Sequence, residues 1–263
     1  MLKIEKTEVV GFEAAIRGMR NPKNSWGKSD SELGCEEVMG SHRFCRECDD
    51  AIYIHDACSC GRGNTPGFVL GLNDYDLMTR LRNAGTDHRK FMRMITVYLD
   101  ITAPLYWWKE FDTYKVGTVA NSCSTMHKIA DKEFTLDDFS HEHLFKEDDV
   151  GGMYYSATAE EEFTSTDVLK VIIEALNVYR KTYMAVKADT VSDYDHMSKE
   201  YWWQMIQLLP SSYNQKRTVM LNYEVLANIY KSRKDHKLDE WHTFCDWIES
   251  LPYSELITGE KKG

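Results

Sequence analysis

The segment from Ile101 to His127, ITAPLYWWKEFDTYKVGTVANSCSTMH, crowds ionisable and aromatic side chains together. Lys115 could bind an anion, whereas the carboxylate of Glu110 next to a second acidic residue is a weaker case for proton transfer. Trp107 and Trp108 could stack on a flat ligand ring, but tryptophans at a strand end are more often core residues. The segment is either a buried strand-to-helix junction or the wall of a binding site.

The end of this segment carries a cysteine next to a serine. Cys123 could act as a nucleophile, but a small buried residue is the more common role of such a cysteine. Ser124 follows small polar residues, which are frequent in turns. Neither residue identifies a reaction by itself.

A second cluster contains four cysteines with the spacing Cys45-x2-Cys48 and Cys58-x-Cys60. Two short turns that each offer two thiolates could hold Zn²⁺ in a tetrahedral site. The second pair is C-x-C and differs from the C-x2-C of common zinc ribbons. Structural zinc and free loop thiols therefore remain alternatives.

A third polar set lies between Leu208 and Trp241. Asn222, Asn228 and Arg233 have the spacing of one helical segment, and Arg233 is predicted on the same helix face as Asn222 and Leu226. An amide and a guanidinium on one face suit the polar groups and the phosphate or carboxylate of a ligand.

Composition limits the function classes. The chain has 263 residues, 43% of them hydrophobic and 28% charged, which predicts a folded protein of one large or two small domains. A formal net charge of -10 disfavours non-specific nucleic-acid binding. No segment has the roughly 18 apolar residues of a membrane span, so neither a membrane partner nor a signal peptide is predicted, and we expect a cytoplasmic location.

The elements that must position these residues can be predicted from periodicity. Alternation predicts a strand that ends at Pro104, with one face formed by Ile95, Val97, Leu99 and Ile101. Helices are predicted over 165–187, 198–209 and 215–234, the first capped by Ser165 or Thr166. A helix after residue 72 is predicted with Asn73 or Asp74 as its cap. Residues 21–66 are predicted to be a Cys-rich loop or insertion in a single α/β (α+β) domain over residues 1–263.

Two of these segments together resemble the flavin-dependent thymidylate synthases. That family has an alternating strand, Ala-Pro, and then the signature Arg-His-Arg, seven residues and Ser. In this chain Ala103-Pro104 is intact, Thr113-Tyr114-Lys115 stands for Arg-His-Arg, and Ser124 stands for the signature serine one residue late. The family pattern LP…N-x-R-x-L-x-x-F-x-x-L-R is similar to the segment from Leu209-Pro210 through Asn222 to Arg233.

The resemblance implies a central antiparallel sheet with long helices in the C-terminal half. It also implies methylation of dUMP to dTMP, or another modification of a pyrimidine nucleotide, with FAD as cofactor and NADPH and methylenetetrahydrofolate as cosubstrates. The expected assembly is a homotetramer with sites built between subunits. The implied catalytic residues are Ser124 and Arg233, the implied cofactor-binding residues are Thr113, Tyr114, Lys115, Asn222 and Asn228, and the implied substrate-binding residues are Glu110, Ser124, Arg233 and Arg17.

The chain departs from the family at several charged positions. Lys115 keeps one positive charge of the signature, Thr113 and Tyr114 are neutral, and Glu224 replaces an arginine. Cations that could replace the lost charge are Arg17, Arg20, His88, Arg89, Arg93 and Lys109. An enzyme with altered chemistry and a catalytically inactive nucleotide- or flavin-binding homologue are therefore both open, and the cysteine cluster leaves a zinc-stabilised interaction module as a third hypothesis.

Overall fold

The computed structural model describes residues 2–33, 68–149, 151–156, 161–188 and 195–259. Most of the predicted loop or insertion at 21–66 lies outside these ranges, and so do all four residues of the predicted zinc site: Cys45, Cys48, Cys58 and Cys60. Within the described ranges, no three His, Cys, Asp or Glu residues are grouped so that they could hold a metal ion. Nor does any helix described there have the length and apolarity needed to cross a membrane.

The described residues form a mixed α/β fold. Its strands are β1 (Lys3–Val10), β2 (Glu32–Leu33), β3 (Phe68–Val69), β4 (Thr96–Pro104), β5 (Val119–Ser122), β6 (Met153–Ser156), β7 (Glu161–Thr164) and β8 (Asn214–Asn222). Its α-helices are α1 (Phe12–Arg20), α2 (Leu72–Asn83), α3 (Leu105–Phe111), α4 (Thr125–Lys128), α5 (Ser165–Ala188), α6 (Asp195–Leu208), α7 (Tyr223–Arg233), α8 (Asp239–Ser250) and α9 (Glu255–Thr258). Short 3-10 helices occupy Asn21–Lys23, Trp26–Lys28, Arg89–Met94 and Leu136–Asp138.

The main sheet has four strands in the order β1-β4-β8-β5. Backbone hydrogen bonds from Leu105 N to Tyr213 O and from Tyr223 N to Ile95 O join opposite ends of β4 and β8, so these strands run antiparallel. The pairs β2-β3 and β6-β7 form two small antiparallel sheets. The predicted fold class, a central antiparallel sheet with long helices in the C-terminal half, is confirmed.

Strand β4 follows the predicted alternation. Val97, Leu99 and Ile101 on its apolar face, and Ile95 just before the strand, are at most 1% exposed. Tyr98 on the other face is exposed, and the strand ends at Pro104 as predicted, because proline lacks the N–H that the next ladder bond would need.

The prediction of one helix over 215–234 is wrong in its first half. Residues Asn214–Asn222 form strand β8, in which Gln215, Val219 and Leu221 are buried at strand spacing. Helix α7 begins only at Tyr223. The apolar residues on both sides of Asn222 fit a helical repeat as well as an alternating one, and β-sheet pairing decides between them.

Two predicted helix caps are displaced by a few residues. Helix α5 is capped by Thr164, whose Oγ1 accepts a bond from Asp167 N at 3.2 Å, rather than by Ser165 or Thr166. The Asp167 carboxylate in turn accepts from the hydroxyl of Thr164 at 2.7 Å and from its backbone N–H at 3.1 Å, and these two bonds lower the pKa of the carboxyl to about 2. Helix α2 has Gly71 at its N-cap, because Asp74 is buried and bound elsewhere.

The chain divides into two compact units. As far as their residues are described, the first contains 102–111 and 122–216, and the second contains 2–101, 112–121 and 217–263. The first unit has a core in which helices α5 and α6 pack with the segment 129–139, formed by Ile129, Ala130, Phe134, Phe139, Leu169, Ile173, Leu176 and Met205. The single domain over 1–263 stays a prediction.

A buried ion pair ties elements of the second unit together. Arg20 Nε on α1 donates to Asp74 Oδ1 on α2 at 2.6 Å, and their side chains are 4% and 0% exposed. Asp74 Oδ2 also accepts hydrogen bonds from the hydroxyls of Ser29 and Ser31. Burial raises the pKa of the Asp74 carboxyl, but the bonds from Ser29, Ser31 and Arg20 outweigh burial and hold that pKa below its ordinary value of 3.8.

Replacing Asp74→Asn leaves the buried guanidinium of Arg20 without a counter-charge. We expect the free energy of unfolding at pH 7 to fall by about 3–5 kcal/mol, measured by urea denaturation. Since the folded-state pKa of Asp74 is depressed, its contribution is complete above the unfolded-state pKa and is lost as the pH falls through the folded-state value. The difference between the original protein and the variant should therefore shrink below about pH 4.

The matched control is Asp76→Asn on the same helix. Asp76 pairs with Arg80 at 2.9 Å, but their side chains are 66% and 68% exposed, so we expect a loss of less than about 1 kcal/mol. Equal losses in the two variants would show that the buried pair has no special role in stability.

Candidate functional site

The candidate site is built around residues 112–118, which we call the 112–118 loop. The loop connects α3 to β5 and begins at Asp112, whose Oδ1 accepts from Arg217 Nη1 of β8 at 2.8 Å. The Arg217 side chain is only 15% exposed, so its position is well defined by packing. This ion pair holds the first residue of the loop against the sheet.

The loop is held a second time by Arg233 at the end of α7. Arg233 Nε donates to Tyr114 Oη at 2.9 Å, across 119 residues of sequence. The guanidinium carbon lies 4.7 Å from the ring centre of Trp241 and 5.6 Å from that of Tyr114. This hydrogen bond and the two aromatic rings thus position the guanidinium of Arg233, and contact with aromatic rings favours a cation.

The third anchor of the loop is Gly117, whose backbone packs closely against the start of α7. Gly117 has φ +81°, and a Cβ there would lie 2.9 Å from Asn222 Nδ2 and 3.1 Å from Val225 Cγ2. Both the backbone conformation and the space favour glycine. Asn222 lies at the N-cap of α7, and its side-chain oxygen accepts from Val225 N at 3.1 Å. The predicted single helix face of Asn222, Leu226 and Arg233 is therefore wrong, because Asn222 precedes the helix.

Between these anchors the loop exposes its tip. Thr113 and Lys115 are exposed, and Val116 is 91% exposed. Three predicted cofactor-binding residues, Thr113, Tyr114 and Lys115, thus lie in one loop whose Tyr114 contacts the predicted catalytic Arg233. The arrangement can bind an anion through a lysine and an arginine and can stack a ring on aromatic surface.

The other predicted site residues have different surroundings. Arg17 is exposed on α1 and pairs with Glu13 at 2.9 Å. Ser124 caps the short helix α4, where its Oγ accepts from His127 N at 3.1 Å. Glu110 is half-buried on α3. Ser124 and Glu110 belong to the first unit, and their roles stay predictions.

Arg89 contacts both Glu224 and Asn228 near the start of α7, and the sequence did not predict these contacts. Arg89 Nε lies 2.9 Å from Glu224 Oε2, and Arg89 Nη2 donates to Asn228 Oδ1 at 3.5 Å. The Glu224 side chain is 8% exposed. Burial and the nearby charge of Arg89 lower the pKa of Arg82. The sequence does show an acidic residue, Glu224, two positions after Asn222. Its spacing from other residues could not identify Arg89 as the partner of that carboxylate.

Several side chains that could bind a ligand or react have other roles or positions in the structure. Trp107 and Trp108 are buried, which confirms the core interpretation, and Trp108 Nε1 donates to Gln215 O at 2.9 Å. Arg20, one of the candidate replacement cations, is bound to Asp74. Cys123 is exposed, so the prediction of a buried thiol there is wrong. The residue follows edge strand β5, whose four residues are all exposed.

Comparison with solved structures identifies the class of fold. The chain is similar to thymidylate synthase X (ThyX) from Helicobacter pylori, solved with FAD and dUMP, with a TM-score of 0.56 and 14% identity over 98% of each chain. It is also similar to the UMP/dUMP methylase PolB from Streptomyces cacaoi, solved with 5-Br dUMP, with a TM-score of 0.51 and 12% identity over 98% of this chain and 95% of that one.

Sequence comparison adds no closer relative, since no family model and no curated protein matches the chain. The resemblance to the flavin-dependent thymidylate synthases is confirmed at the level of the fold, over nearly the whole chain.

Replacing Tyr114→Phe tests whether the bond to Arg233 holds the 112–118 loop. Loss of this one bond, at about 1 kcal/mol, should raise the population of the opened loop about fivefold. Tryptic cleavage after the exposed Lys115 should accelerate by a similar factor, because cleavage of a locally opened segment follows its population. The rate is measured by mass spectrometry of the peptide that begins at Val116.

Tyr98→Phe is the control, because Tyr98 is 42% exposed on β4 and lies outside the loop. An unchanged cleavage rate in Tyr114→Phe would mean that the packing of Gly117 and the Asp112 ion pair are sufficient to close the loop.

Proposed function

We propose that this protein binds a pyrimidine nucleotide together with FAD and methylates, or otherwise modifies, the pyrimidine base. The observation that carries the proposal is the contact between Tyr114 and Arg233. It joins two segments that resemble the family on separate grounds, within a fold similar to a ThyX that binds FAD and dUMP. A cytoplasmic location and a homotetramer are part of the proposal and follow from the same resemblance.

Arg233 is the group proposed to bind the nucleotide. Its guanidinium is half-buried, and its position is defined by the rings of Tyr114 and Trp241. Ring contacts orient a guanidinium, and a cation held in a defined position binds an anion with less loss of side-chain entropy than a mobile one. A nucleotide phosphate, or an enolate-like oxygen on a pyrimidine ring, is an anion of the appropriate kind.

The residues of the 112–118 loop fit the polar half of a flavin dinucleotide. Lys115 offers an exposed ammonium and Thr113 an exposed hydroxyl, which are suitable donors to a diphosphate. The side-chain oxygens of Asn222 and Asn228 already accept bonds within the protein, so each would offer a ligand its amide N–H groups. A bound FAD would supply hydride chemistry, with NADPH as the reductant and methylenetetrahydrofolate as the carbon donor.

The remaining implied residues complete the proposal for the substrate. Ser124 keeps a hydroxyl proton that could be donated to a base oxygen, because its oxygen is the acceptor in the contact with His127. Glu110 could accept from a base N–H, and Arg17 would add an exposed positive charge.

One observation favours a second candidate, a homologue that binds nucleotide or flavin without catalysis. Glu224 places a buried carboxylate in the first turn of α7, and Arg89 is its partner at 2.9 Å. An arginine bound to a buried carboxylate adds little net attraction for a phosphate. Binding would then depend on Lys115 and Arg233, and fewer cations could leave the nucleotide too loosely oriented for reaction.

The first test is an absorbance titration of the full chain between about 300 and 550 nm with FAD, followed by dUMP or UMP. We expect bound-flavin bands that shift when the nucleotide is added. Arg233→Gln should weaken nucleotide binding by roughly 10- to 100-fold, because a charge-assisted contact to an anion contributes about 1.5–3 kcal/mol. Arg80→Gln is the matched control, because Arg80 is 68% exposed on α2 and pairs with Asp76.

A tritium-release assay with dUMP labelled at carbon 5 separates the two candidates. Release that requires FAD and is lost in Arg233→Gln supports the enzyme. Nucleotide-dependent flavin bands without release support the inactive homologue. Absence of flavin binding at tens of micromolar would exclude the flavin-dependent enzyme, and the inactive homologue would then have to bind the nucleotide alone.

A further inference from the structure

Thr118, the last residue of the 112–118 loop, has a buried hydroxyl. Its oxygen is shielded from solvent and has no hydrogen-bond partner among the described residues. A hydroxyl that is buried without a partner costs free energy relative to one that is solvated or bonded. Folded proteins rarely keep such a group, so Thr118 indicates a second position of the loop in which its hydroxyl is bonded.

The surroundings of Thr118 include a second donor. The backbone of the preceding residue, Gly117, packs against the side-chain nitrogen of Asn222, which would lie 2.9 Å from a Cβ at residue 117. The side-chain oxygen of Asn222 accepts a bond from Val225 N, so its nitrogen is the atom that presents N–H donors. Two neutral donors are therefore next to Gly117, Thr118 in the chain and Asn222 in space.

Donors of this kind suit an oxygen acceptor on a ligand. Phosphate oxygens and ring carbonyl oxygens both accept bonds from hydroxyl and amide groups, and a glycine lets a ligand approach the backbone closely. Lys115, three residues before Thr118, is exposed and adds a positive charge to the same loop. The end of the loop thus offers a position for a ligand oxygen.

The hydroxyl of Thr118 reaches a ligand only when the loop moves. The structure describes the loop in one position, which we call the closed loop, held by the ion pair of Asp112, the bond of Tyr114 and the packing of Gly117. Opening exposes the hydroxyl to solvent or to a ligand, whereas closing leaves it without a bond. The closed loop therefore carries a free-energy cost that a bond to a ligand oxygen removes.

We propose that the Thr118 hydroxyl is a ligand-binding group that donates a hydrogen bond to an oxygen of the bound flavin or nucleotide when the loop rearranges around that ligand. The identity of the ligand rests on the proposed function, whereas the effect of the hydroxyl on the closed loop does not. Thr118 is then the residue that couples the position of the loop to occupation of the site.

Thr118→Val tests the closed loop, because valine keeps the branched shape and removes the hydroxyl. Without the buried hydroxyl the closed loop is favoured, so tryptic cleavage after Lys115, with no flavin or nucleotide added, should slow about fivefold. Thr118→Ser keeps a hydroxyl and should be cleaved at the original rate. Circular dichroism verifies that the variants keep their helices.

Thr166→Val is the matched control. The hydroxyl oxygen of Thr166 is also shielded from solvent and has no hydrogen-bond partner among the residues that the structure describes. Thr166 lies on α5 in the first unit, outside the 112–118 loop. Its replacement should therefore change neither the cleavage after Lys115 nor the binding of a ligand.

Binding measurements with the same variants test the contact with the ligand. Thr118→Val should weaken binding of FAD or of the nucleotide roughly 5- to 10-fold, because it lacks the donor and must open a more stable loop. Thr118→Ser should restore binding. Riboflavin against FAD, and uridine against UMP, separate the two acceptors: an effect confined to the phosphorylated ligands identifies a phosphate oxygen, and an effect on both members of a pair identifies a ring carbonyl.

The two effects of Thr118→Val have opposite signs, since the variant closes more firmly and binds more weakly. Unchanged or faster cleavage would show that burial of the hydroxyl does not oppose closing, and this result would overturn the proposal. Equal binding with and without the hydroxyl would overturn the assignment of Thr118 alone and leave the proposed function intact. An original protein that binds neither flavin nor nucleotide would overturn both.

Discussion

The antiparallel pairing of β5 with β8 is the constraint on which the candidate site depends. At one end of the pair, Cys123 N donates to Lys216 O at 2.9 Å, and at the other end Gly117 passes the side chain of Asn222. The strand order therefore brings the loop that precedes β5 to the start of α7. Because β8 leads directly into α7, the pairing register determines which loop residue meets which turn of the helix. Tyr114 and Arg233 meet as a consequence of this register.

The arginines of the second unit illustrate two ways of fixing a cation. Arg20 and Arg89 are paired with buried carboxylates, Asp74 and Glu224, and such pairs define a structure while they cancel each other's charge. The contacts that Arg233 makes with Tyr114 and Trp241 orient it through dispersion and the ring quadrupole. The rings of Tyr114 and Trp241 give the guanidinium of Arg233 a defined position, and this geometry is the reason to propose Arg233 for anion binding.

The parts of the fold that could be predicted from the sequence are those in which one periodicity dominates. The alternation in β4 and the core face of α5 are of this kind, because each buries one face against a single layer. Strand β8 could not be separated from α7, since Val219 and Leu221 fit both repeats and only pairing with neighbouring strands decides. The resemblance predicts Tyr114 and Arg233 as site residues, but their contact depends on strand register. The partner of Glu224 was equally hidden, because Arg89 lies 135 residues away in the chain.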